Sequence, residues 1–300
     1  MSQNVPLFAR KLLAPFPLYT YPPNTPKRYA SCHATLWIYP PLSKDGVLSA
    51  DVECLKWQAY LALRGVKGLR IRTDVDPQGC LDVRLPSLQA PLDPSTPGTA
   101  GDDNLDLHAA HHIPAWADAV LNQSEDALEG YKTESDRDES QAWIALLEGN
   151  IHAALMLAQP TSSLLYRIFM FDTTVSRPIE SYMAPPLPPR AGLLSLLPPQ
   201  ALAFLGPRIP KDAIESRYRD AIAALSDRLG TDQWFLGSKN PTPLDALLFA
   251  YLYCILSLRS DSSIRAEVTR RVNLVAWENR IRSQVIQAFS RSGHDHEKNM

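Results

Sequence analysis

What this chain lacks narrows it early. It has four cysteines (Cys32, Cys54, Cys80, Cys254), scattered, with no C-x-x-C pair and no metal-ligand spacing. That pattern excludes a disulfide framework and points to free thiols in a reducing compartment. Charge of one sign is also missing. The net charge is −2, so no global field favours nucleic acid. No apolar run is long enough to cross a bilayer, which needs about 20 residues. Residues 1–18 hold Arg10 and Lys11 among apolar neighbours, but Pro6, Pro15 and Pro17 break any amphipathic helix, and no signal-peptide pattern is present. The chain is therefore expected to be soluble or peripherally attached. Motifs of several enzyme classes are absent too: there is no G-x-S-x-G elbow, no Walker loop and no G-x-G-x-x-G. His108, His111 and His112 stand close together without H-E-x-x-H or a nearby cysteine, and His294 and His296 lie in a polar tail, so no metal is expected.

Proline is plentiful instead, 26 in 300 residues against an average of roughly 5%. The prolines gather in 14–26, 40–41, 86–97 and 178–210, marking extended connections. With 45% hydrophobic residues the chain can bury a sizeable core, and its length suits two compact domains or one large one.

The most ordered stretch is 234–258. A turn at Gly237, Asn240 and Pro241 leads into Thr242-Pro-Leu-Asp245, a reciprocal helix-start box with proline at the first helical position. The uncharged run that follows is apolar on nearly every side yet too short to span, which predicts a central buried helix.

Along the chain, residues 1–33 form a Pro- and aromatic-rich arm. Phe8, Leu12, Leu13, Phe16 and Tyr19 are more apolar than a solvated tail requires, so packing on the parent domain, disorder and docking to a partner all stay open. A strand is expected at 34–40, a helix at 49–65 capped by Ser49, and an alternating strand at 69–73. Strand, helix and strand with short links predict a parallel pair. Leu85-Pro86 at a strand entrance is a candidate cis bond. A short strand at 105–107 and a helix at 113–121 follow.

Residues 123–139, with seven acidic side chains, read as an acidic linker. The 140–291 part then turns helical: Trp143, Leu147, Ile151 and Leu155 step by four, and 211–229 is amphipathic up to Gly230. The stretch 191–206 carries Leu193, Leu194, Leu196 and Leu197, broken by two prolines. It suits either an internal core segment or an interfacial patch facing a protein or a membrane. Seven arginines within 259–291 suit a solvated helical face or a basic docking surface. Residues 292–300 form a polar tail.

A βαβ half, a proline-entered strand and an all-helical half with a capped central helix resemble glutathione transferase-like proteins. The implied fold is an α/β thioredoxin-like domain (34–122) joined to an all-α transferase-type domain (140–291). Within that group the chain is most similar to the metaxins. Asp51-Val-Glu-Cys-Leu55 looks like their first-helix run, and 80–88, ending Leu85-Pro-Ser-Leu88, is similar to their G-T-L-P-A-L motif. This similarity favours cis at Pro86. FMFD at 169–172 and APPLPP at 184–189 resemble a later metaxin stretch. Residues 228–252, which carry Gly237, Thr242 and Asp245, resemble the family signature R-L-G-x-x-x-F-F-G-x-x-P-x-x-L-D-A almost position by position. The arm and the 92–104 loop have no counterpart.

The resemblance implies a shorter, peripheral metaxin-like subunit of the mitochondrial sorting and assembly machinery. Such a subunit sits on the cytosolic face of the outer membrane. Its implied partners are the β-barrel insertase, a larger metaxin-like subunit and the sorting signal of β-barrel precursors. No cofactor and no catalytic residue are implied. The competing expectations are a glutathione-dependent enzyme, with Tyr39 or Ser43 near the activating slot, and a transferase-fold module tethering soluble proteins. Against the enzyme, 107–112 lacks the acidic-Ser pair that holds the γ-glutamyl group, and Cys54 sits inside the first helix rather than at its start.

Overall fold

The computed structural model describes residues 34–41, 46–91, 105–121, 128–158 and 211–290. The chain divides between residues 32 and 33, and every described residue belongs to the second part. Phe8, Leu12, Leu13, Phe16 and Tyr19 of the arm, Ser43, the 92–104 loop, the 191–206 patch with Leu193, Leu194, Leu196 and Leu197, and the 292–300 tail lie outside the described residues. So do the metaxin-like stretches at 169–172 and 184–189.

Four strands, β1 (Thr35–Trp37), β2 (Arg70–Arg72), β3 (Ser87–Pro91) and β4 (Leu105–Ala109), form one sheet in the order β2-β1-β3-β4. β1 and β2 are parallel, as the βαβ pattern predicts, because α1 (Val52–Leu63) supplies the crossover between them. The other two pairings are antiparallel, with Leu36 opposite Leu88 and Leu88 opposite His108. Directly opposed residues share a face. Leu36 and Leu88, both without exposed surface, anchor the buried side. Leu85-Pro86 is cis. Between β2 and β3 the described backbone makes a 3₁₀ turn, Pro77–Gly79, and a further turn in which the Val83 amide donates to the Cys80 carbonyl at 3.0 Å.

Two expectations for this half need correction. β1 ends at Trp37, shorter than 34–40. The cap of α1 is Asp51, whose carboxylate accepts from the Cys54 amide at 3.0 Å. Ser49 stands outside the helix: its hydroxyl donates to the Tyr39 carbonyl at 2.9 Å and accepts from the Asp51 amide at 3.2 Å. A serine already committed to the Tyr39 carbonyl leaves the helix amides to the next acid. α2 (Ile113–Leu121) occupies the span expected for it.

The linker expected at 123–139 ends earlier than its charge suggested. α3 (Glu134–Leu146) begins inside it, capped by Thr133 and Asp136 in a reciprocal box. Acidic side chains in a first turn face the positive helix end, so Glu134 and Asp136 belong to a helix start. α3 continues through a π turn (Leu147–Ile151) into α4 (His152–Ala158). A four-residue step over-rotates an α-helix by about 40° each time. The wider π turn absorbs that drift, and Leu147, Ile151 and Leu155 all stay buried.

α5 (Lys211–Leu229), α6 (Pro243–Leu256), α7 (Ser263–Thr269) and α8 (Val272–Ser290) are the other described helices of the helical half. α6 is apolar all round and sits in the middle, against α1, α7 and α8, in one continuous core. The mixed sheet with its cis-proline strand, followed by the helical half, is the glutathione transferase-like fold.

Candidate functional site

The sheet register places Tyr39, Pro86 and His108 at one end of the sheet, because Trp37 pairs with Ser87 and Ser87 with Ala109. This is where the start of α1 arrives, and where a thiol-activating group would stand. The two thiols here, Cys54 and Cys254, are turned inward, and Tyr39 is half-buried. Burial, then the Asp51 carboxylate, pushes the Tyr39 hydroxyl upward, away from the phenolate. Burial likewise pushes the Cys54 thiol well up. Cys254 of α6, directed at the Ala50 carbonyl at 3.6 Å, is pushed up to about 12 by burial and by Asp51. A thiolate nucleophile needs the opposite environment, exposed and electropositive.

The loop that leads into α1 is tied down as well. The Gln58 side chain accepts from the Ser49 amide at 2.9 Å and donates to the Val47 carbonyl at 3.0 Å. With Asp51 and Ser49 each holding an amide, the helix start is filled by its own chain.

A cleft with described walls lies elsewhere. It lies between α1, α2 and the start of α6, is lined by Lys56, Trp57, Tyr60, Pro114, Glu129, Pro243 and Ala246, and holds about 190 Å³. Small-molecule sites usually occupy about 300–1,000 Å³, so this space suits a single side chain rather than a tripeptide. Its aromatic wall is pre-set. Glu53 accepts from Lys56 Nζ and Trp57 Nε1, Trp57 meets Tyr60 edge-on at 5.5 Å, and Arg64 joins the Tyr60 hydroxyl to Asp118.

The signature residues are structural. Asp245 has no exposed surface and accepts three hydrogen bonds: from the Phe235 amide at 2.7 Å, the Thr242 amide at 2.8 Å and the Thr242 hydroxyl at 2.7 Å. Burial pushes its carboxyl up to about 6, although these donors and Arg280 pull the other way. The bond to Phe235 was not foreseen. It fastens the turn before α6 to the helix start. Gly237 has φ of 63°, the left-handed region that favours glycine, and a Cβ there would lie 3.0 Å from Asp232 Oδ2, which would have to give way.

The histidine group and the arginines are also explained internally. His111 lies 3.7 Å from Asp82, and its ring sits 4.1 Å from that of His112. Each described arginine of the C-terminal segment has a partner within the chain. Arg259 meets Asp261, Arg265 donates to the Leu258 carbonyl, and Arg270 and Arg271 share Glu267. Arg280 donates to the Gln233 carbonyl and covers the Trp234 ring, and Arg282 meets Glu278. These pairings favour the solvated helical face over a free basic surface.

Residues 218–281 match the family described as Glutathione S-transferase, C-terminal domain. Human Metaxin-2 is 44% identical over 59 residues, 19% of this chain and 22% of that protein. Mouse Metaxin-2 is 39% identical over 69 residues, 23% of this chain and 26% of that protein. The matched segments thus span about a quarter of these relatives' length. Beta-etherase LigF from Sphingobium aligns over 86% of this chain and 99% of its own, with 14% identity and a TM-score of 0.48. A glutathione transferase from Burkholderia graminis, with two glutathione molecules bound, aligns over 95% and 97%, with 12% identity and a TM-score of 0.46.

Proposed function

We propose that this chain is a non-enzymatic, metaxin-like subunit of the mitochondrial outer-membrane sorting and assembly machinery. It docks on the cytosolic side of the β-barrel insertase, beside a larger metaxin-like subunit, and helps recognise the sorting signal of β-barrel precursors. The observation that carries this reading is the 44% identity to Metaxin-2 over 59 residues, in a fold whose other likenesses are distant. Two features of the site support it. Cys54 and Cys254, the thiols nearest a transferase's activating slot, are held protonated by burial, and the Tyr39 hydroxyl is shifted away from the phenolate. The start of α1 is occupied by Asp51 and Ser49 rather than open to a ligand. Among the described residues no helix is long and apolar enough to cross a membrane, which accords with peripheral attachment.

The test is site-specific cross-linking of a β-barrel precursor in isolated outer membranes. Adducts to this chain that disappear when the precursor's sorting signal is deleted are expected. A glutathione-conjugation rate that Tyr39→Phe abolishes, with no precursor adduct, would reverse the reading in favour of an enzyme.

A further inference from the structure

α8 carries its buried side chains at helical spacing: Leu274, Trp277, Glu278, Ile281, Val285 and Phe289. Five of these are apolar. The sixth, Glu278, has no exposed surface, and neither of its carboxylate oxygens has a hydrogen-bond partner. Among the described residues its one close charge is Arg282, a turn further along, with Nη2 3.4 Å from Oε2 and a side chain still 39% exposed. Desolvating a carboxylate costs several kcal/mol, and a single long contact to a partly solvated cation does not offset it. The neutral acid is far cheaper to seat in this stripe. The direction of its titration agrees: burial pushes Glu278 up, and Arg282 pulls it down less.

The elements around Glu278 decide what its ionisation would move. α8 packs against α1 of the sheet half and against α5, α6 and α7 of the helical half, so it braces the two halves together. Among the described residues, the ionisable groups acting with Glu278 are Arg282 on α8 itself and Tyr253 on α6, whose hydroxyl Glu278 helps push up. Tyr253 stays neutral over the pH range in which a carboxyl titrates.

We propose that Glu278 makes the seating of α8 pH-sensitive. Protonated, it lies in the stripe and the helix stays clamped on α1 and α6. Ionised, it draws α8 outward to hydrate the carboxylate, which loosens the brace between the halves. The folded state holds this proton more tightly than the unfolded chain does. Its stabilising contribution is therefore complete below the ordinary carboxyl range, and is lost as pH rises through the raised folded value.

The experiment is hydrogen exchange on the full chain between pH 5 and 8, corrected for intrinsic exchange, comparing amides of α8 with those of α5. Opening of α8 should increase with pH by up to about tenfold per unit, the limit for one proton, while α5 changes less. Glu278→Gln should hold α8 at its low-pH protection throughout. The Asp245 carboxyl is also pushed up, to about 6, so the difference between wild type and Glu278→Gln isolates the Glu278 part. Glu278→Leu, which leaves no polar group to satisfy, should behave like Glu278→Gln and guards against a misfolded amide variant. Equal pH dependence of α8 in wild type and both variants, or α8 and α5 moving together, overturns the proposal.

Discussion

The Asp245 carboxylate offers the sharpest test of the packing argument, because the chain contains its own control. Thr133–Asp136 and Thr242–Asp245 make the same reciprocal box, with threonine hydroxyl to carboxylate distances of 2.9 and 2.7 Å. The first box is exposed and the second buried. Removing an exposed cap costs about 0.5–2 kcal/mol. In the buried box, Asp245→Ala strips the acceptor from the Phe235 and Thr242 amides, and the Phe235 amide bond is one that Asp136 lacks. Each buried donor left unpaired costs about 1–3 kcal/mol. The expected loss is about 4 kcal/mol for Asp245→Ala against about 1 kcal/mol for Asp136→Ala. Urea unfolding at pH 7, with unchanged m, reads these as midpoint shifts. If Asp245→Ala does not fold, Asp245→Asn serves. It keeps an acceptor for Phe235 but turns an NH₂ toward the Thr242 amide, for a loss of about 2 kcal/mol. An Asp245→Ala loss within about 1 kcal/mol of that of Asp136→Ala refutes the claim that burial, rather than the cap motif, sets the energy. The sign with pH is also fixed. With a folded value near 6 and an unfolded one near 3.8, stability should fall as pH rises between them, and Asp245→Asn should flatten that part of the curve.

Two further outcomes are expected. Val83 has φ of 53° in a solvent-facing loop, a left-handed conformation that a β-branched residue adopts only under strain. Val83→Gly should raise stability by about 1 kcal/mol in the same unfolding assay, and a loss of stability would show that the strain argument fails there. Cys54, Cys80 and Cys254 are buried thiols, so a thiol reagent at pH 8, followed by mass spectrometry of the modified sites, should label them only as denaturant unfolds the chain. Rapid labelling of Cys54 or Cys254 in the native protein would contradict the inward-facing description of the α1 start.

What was legible in the sequence follows from what kind of force set each feature. The parallel β1–β2 pair, α2, α5 and the α6 box were readable because local periodicity and cap chemistry agree with the final packing. The start of α3 was hidden by its own charge: seven acids in 123–139 looked like a solvated hinge. The signal that would have found it was Thr133 followed three residues later by Asp136, the same pattern that gave α6 away. The Ser49 cap failed for a different reason. Ser49 and Asp51 are both good capping types, and the choice between them was made by the Tyr39 carbonyl, which engages the serine from ten residues away. No local pattern contains that information.

The same distinction separates the two buried carboxyls. Asp245 has a local reason to exist, a cap on the next helix, and the tertiary bond to Phe235 deepens a role the sequence already states. Glu278 has no such reason. Read along α8 it is one polar residue in an arginine-rich, solvated-looking helix, and its partner Arg282 one turn on completes the impression of a surface pair. Only the packing of α8 against α1 and α6 turns that pair inward and leaves the acid without a hydrogen bond. A structural carboxyl would have been equipped with donors, as Asp245 was. That contrast, between two buried acids on neighbouring helices with three donors for one and none for the other, argues that stability alone does not account for Glu278.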